Sequence, residues 1–115
     1  MKTESRFFVH LFHIILVAGL FIYVGIAKTT IPTFMYTVLL ILGIIIILYH
    51  GFKAYQKLQD GKNPWINYIH IFLVGPLLIY IGLNREKTPR LYFELLLMLG
   101  FASLGYHFYY LFNDT

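Results

Sequence analysis

Residues 13–26, HIILVAGLFIYVGI, recur as residues 70–83, HIFLVGPLLIYIGL, with the same residue at eight of the fourteen positions. The match continues without a gap. At an offset of 57, Pro32 falls on Pro89, Gly43 on Gly100, and Tyr49-His50 on Tyr106-His107, giving 15 identities over the 38 positions from His13 to His50. Two unrelated stretches of this composition would share roughly four or five. His, Pro, Gly and Tyr are also the types least expected to coincide within Leu- and Ile-rich sequence. The chain therefore reads as a tandem repeat, residues 1–57 and 58–115, with the two copies together forming one domain.

Each copy holds two long apolar runs. The four run from Phe7 to Ala27, Phe34 to Phe52, Trp65 to Leu83 and Leu91 to Phe112. A membrane-spanning helix needs about 20 apolar residues, so each is long enough to span. They are continuous rather than alternating, which excludes barrel strands. The whole chain agrees: of 115 residues, 59% are hydrophobic and 12% are charged, and the mean hydropathy is +0.72. A soluble domain carries about 25% charged residues. The expected fold is thus an all-α membrane protein, a four-transmembrane-helix up-down-up-down bundle built from two parallel two-helix repeats.

The first run is too long for a signal peptide, lacks a small-residue cleavage site and matches a later span, so it reads as a retained span. An even number of spans puts both termini on one side. Lys2, Arg6, Lys53, Lys57 and Lys62 lie on that side and Lys28, Arg85, Lys87 and Arg90 on the other, a small excess that favours cytoplasmic termini. The net charge of +4 fits loops facing anionic lipid and does not point to nucleic acid. The chain has no cysteine, which excludes disulfides, thiolate metal sites and Cys nucleophiles. There is no TVGYG filter, no mid-span lysine, no glycine-rich phosphate loop and no Ser/His/Asp set. No catalytic residue is assigned.

Chemistry concentrates in four histidines. His13 lies 19 residues before Pro32 and His50 lies 18 after it; His70 and His107 bear the same relation to Pro89. At 1.5 Å per residue, all four sit about 27–28 Å from the far-side turns, at one depth. Ionisable groups within spans generally face the bundle interior, so four such histidines would form a ring, with His13 and His70 on diagonal helices. Gly43 and Gly100 lie two turns below His50 and His107 on the same helix faces. Such glycines either let helices touch or leave room for a flat ligand.

Imidazole ligates haem iron, zinc, copper and iron ions. His13, His50, His70 and His107 are therefore candidate metal ligands, with Gly43, Gly100, Tyr49 and Tyr106 lining the cofactor. No carboxylate lies near their level, which favours haem b, with its own two charges, over a bare Zn, Cu or Fe ion held by all four. The function expected is electron transfer or sensing with a redox partner. Two other classes fit the sequence: a His-gated proton channel, and a cofactor-free scaffold that self-associates through its small residues. His10 falls opposite Asn67 in the repeat and reads as a flanking residue. Glu94 reads either as the partner of Arg90 or as the far end of a proton path. Pro76, opposite Gly19, is expected to kink the third span and make the four histidines unequal.

Overall fold

A computed structural model describes residues 2–113, with side chains from residue 7 onward. Asp114, two residues beyond the fourth apolar run, lies outside the described residues, as do the side chains of Lys2 and Arg6. Nearly every described residue is helical and none is in a strand. Four helices are long and apolar enough to cross a membrane: Phe7–Thr30, Thr33–Gln59, Trp65–Lys87 and Arg90–Asn113. These are the four expected spans, and a multi-pass protein in a lipid bilayer follows from them.

The second span continues about two turns beyond Phe52. Its apolar run stops at Lys53, but Ala54, Gln56, Lys57, Leu58 and Gln59 are good helix formers and carry the helix on. Gly61, with φ at 70°, then supplies the left-handed residue that ends it, and Lys62 N–H closes back on the Lys57 carbonyl at 2.7 Å. Pro32 and Pro89 stand just before the second and fourth spans, where a missing N–H costs nothing. The first and third spans end alike, in short 3-10 turns at Lys28–Thr30 and Arg85–Lys87. Lys28 and Arg85 have φ of 55° and 53°. Both place a cation at a helix C-terminus, where it offsets the dipole. Lys28 Nζ donates to the Gly25 carbonyl at 2.8 Å, and the Arg85 guanidinium lies 5.4 Å from the centre of the Tyr36 ring.

The helices form two compact units. One, here the terminal unit, pairs the first span with the fourth; the other, the central unit, is Thr29–Thr88 and pairs the second span with the third. Both pairs are antiparallel. These units cut across residues 1–57 and 58–115, since each takes one span from each sequence copy. Glycine contacts hold the pairs together. In the terminal unit a Cβ on Gly25 would stand 2.7 Å from Leu97 Cα, and one on Gly100 would stand 2.9 Å from Ile22 Cγ1. In the central unit a Cβ on Gly82 would lie 2.8 Å from the Tyr36 carbonyl oxygen, and one on Gly43 would lie 2.8 Å from that of Gly75. Within lipid there is little hydrophobic drive between helices, so close backbone approach at small residues is what associates them.

Fully buried side chains flank these glycines: Phe21, Val24, Phe93 and Leu96 in the terminal unit, and Tyr36, Leu39, Leu78 and Ile81 in the central unit. The exposed large apolar side chains are mostly Phe, Leu and Ile, among them Phe12, Ile26, Leu48, Phe72 and Phe112, as lipid contact requires. Tyr36 is the exception in kind. Its hydroxyl is buried with no hydrogen-bond partner, and Phe93, at the corresponding position 57 residues on, fills a buried place without one. An unsatisfied buried hydroxyl costs about 1–3 kcal/mol. Tyr36→Phe is therefore expected to leave stability unchanged or raise it by about 1 kcal/mol, read from the denaturation midpoint in detergent. A fall of that size would show that the hydroxyl has a partner.

Candidate functional site: two stacked histidine pairs

The sequence places four histidines in a ring; the structure shows them as two stacked pairs, one in each unit. In the central unit the His50 and His70 rings stack with centroids 3.9 Å apart and planes 13° from parallel. In the terminal unit His13 and His107 stack at 4.3 Å and 22°. The rings expected to face each other across a diagonal, His13 and His70, belong to different units. All four are half-buried.

The helix is irregular where the first member of each pair sits. A π-helical stretch begins at His13 and runs to Ala18, and another begins at His70 and runs to Val74. In the second, Gly75 N–H reaches the His70 carbonyl, five residues back. Such wide turns insert one residue and are found mostly at functional sites. Pro76 follows the second, but Gly19 holds the matching place after the first, so proline alone does not cause them.

These wide turns accompany a specific hydrogen-bond pattern. His70 Nδ1 donates to the Ile66 carbonyl at 2.8 Å, and His13 Nδ1 donates to the Val9 carbonyl at 2.8 Å. A neutral imidazole has one N–H, so this commits the proton to Nδ1 and leaves the lone pair on Nε2. The other ring of each pair is held differently. Asn67 Nδ2 donates to His50 Nδ1 at 2.8 Å, and His10 and His107 share a hydrogen bond between their Nδ1 atoms at 2.8 Å. Sequence reading left His10 at the margin because Asn67 takes its place in the second copy. The spacing did carry a signal: each lies three residues before a paired histidine, one turn away on nearly the same face.

Tyrosines frame the pairs. Tyr49 stands edge-on to His50 with centroids 5.2 Å apart, and Lys53 Nζ lies 5.8 Å from the centre of the Tyr49 ring. Tyr106 stands edge-on to His107 at 5.0 Å and contacts Tyr110 at 4.8 Å. Gly43 and Gly100 do something else. Their open faces are filled by the neighbouring helix of the same unit, so they serve helix contact and leave no room there for a flat cofactor. At the other end of the fourth span, Arg90 Nε donates to Glu94 Oε2 at 2.7 Å, one helical turn apart, which accounts for that carboxylate locally.

Among the described residues, no group of three or more His, Cys, Asp or Glu side chains is placed to hold a metal ion. A bare zinc or copper ion takes about four protein ligands or three and a water. Haem iron brings four equatorial nitrogens and asks the protein only for axial ligands. No protein-family model, curated protein or solved structure matches this chain.

Proposed function

We propose that this membrane protein binds haem b for electron transfer or sensing, with Nε2 of His13 in the terminal unit and Nε2 of His70 in the central unit each a candidate ligand. One observation carries the reading: both rings have Nδ1–H fixed on a backbone carbonyl, with the lone pair on Nε2. Metal-ligating histidines almost always donate the other ring N–H in this way, which sets the tautomer and makes the ligand more basic. Within each unit one preset imidazole base suits haem, which asks few ligands of the protein, and falls short of a bare-ion site. His107 and His50, stacked on the two ligand rings, restrict their rotation.

When bound, the haem would supply the one-electron couple, and a redox partner would exchange electrons with it; the chain's own groups hold and orient the ligands. The test is haem content. Protein purified from haem-replete cells is expected to release haem b on acid extraction in roughly stoichiometric amount, and protein that releases none contradicts the proposal. The His10–His107 hydrogen bond favours, as a second reading, proton transfer at that end of the terminal unit. That reading expects a colourless protein.

A further inference from the structure

Asn67 is 4% exposed, and its Oδ1 is buried without a partner while its Nδ2 donates to His50. Leaving a buried amide oxygen unpaired is costly, so the position is held by what Nδ2 does. The opposite amide orientation would put both N–H bonds at the unpartnered place, and buried orphan donors are rarer than orphan carbonyls. His50 Nδ1 is thereby an acceptor, and its ring proton lies on Nε2.

We propose that Asn67 is a positioning residue that fixes His50 as the Nε2–H tautomer. Its stacked neighbour His70 has the opposite tautomer, with Nδ1–H on the Ile66 carbonyl. The central unit therefore presents one imidazole base beside one imidazole donor, 3.9 Å apart between centroids. The tautomer assignment stands whether or not haem binds. The terminal unit differs, because His10 stands where Asn67 stands. An imidazole can donate or accept at Nδ1, so the His10 contact does not by itself set the His107 tautomer, whereas a carboxamide N–H can only donate.

Nitrogen NMR of protein labelled with 15N-histidine tests this directly. The full chain is used in detergent at pH 8, with dithionite present so that any low-spin haem iron is diamagnetic. His50 is expected as a single Nε2–H species. Asn67→Leu should lower the Nε2–H fraction of His50 while leaving the His70 Nδ1–H signal in place. Wild-type His50 found as Nδ1–H, or unchanged in Asn67→Leu, overturns the proposal. The wild-type spectrum decides even where a variant fails to fold. Protein without haem but with these tautomers would sink the haem reading and leave the role of Asn67 intact.

Discussion

His70→Ala is expected to reduce the haem retained through purification by more than about tenfold, since removing even a second-shell partner costs about 10–100-fold in metal affinity. His13→Ala is expected to do the same. His10→Ala, which removes a partner of His107 and no ligand, should stay within about twofold of wild type. The fold is expected to survive these changes. The Ile66 carbonyl that accepts from His70 Nδ1 also accepts the His70 backbone N–H, so alanine leaves no buried acceptor unpaired. What is lost in addition is ring stacking on His50, worth about 0.5–1.5 kcal/mol. Haem content normalised to protein is the readout, with the helical circular dichroism signal as the control. Equal haem in His13→Ala, His70→Ala and His10→Ala would mean that the ligands lie elsewhere.

The second large effect concerns the glycines. Gly25→Ala would bring a methyl carbon to 2.7 Å from Leu97 Cα and 2.9 Å from Leu97 N, and Gly82→Ala one to 2.8 Å from both Leu40 N and the Tyr36 carbonyl oxygen. Backbone atoms cannot move aside by changing rotamer, so the helices must part along their closest contact. Overpacking of this kind costs about 1–3 kcal/mol, sometimes more. Gly19, Gly51 and Gly105 have nothing within 4 Å of such a methyl. Alanine there should be neutral or stabilise by up to about 1 kcal/mol, through its better helix propensity. Denaturation midpoints in detergent compare the two sets. Gly25→Ala or Gly82→Ala as stable as Gly51→Ala would contradict the close helix contacts.

These cases show why the spans were legible and the pairing was not. Continuous apolar length defines a span whatever it packs against, so Phe34, Trp65 and Leu91 mark beginnings of spans to within a residue. Helix pairing depends on which small residue meets which neighbour. The sequence displays Gly25, Gly43, Gly82 and Gly100 at matched spacing, yet nothing in it says that Gly25 meets Leu97 rather than a residue of the second span. Short connections argued for hairpins of consecutive spans. That holds for the second and third, while the first packs with the fourth.

The histidines were read from position, and their depth relative to Pro32 and Pro89 pointed to a shared level. The stacked partners were not legible because they depend on which spans pair, and His13 pairs with His107 and His50 with His70 within the two units. Gly43 and Gly100 read as lining a cofactor, whereas the facing helices Gly75–Asn84 and Gly19–Ala27 lie against them. His10 and Asn67 were hidden for a plainer reason. They differ in type, and a search for identities passes over two residues that reach the same kind of nitrogen with different groups.

The most direct test of haem ligation is the visible absorption spectrum of the detergent-purified protein from haem-replete cells, recorded as isolated and again after dithionite. Haem held by imidazole predicts a Soret band that shifts on reduction, with α and β bands in the reduced protein. A flat visible region, before and after reduction, would contradict it.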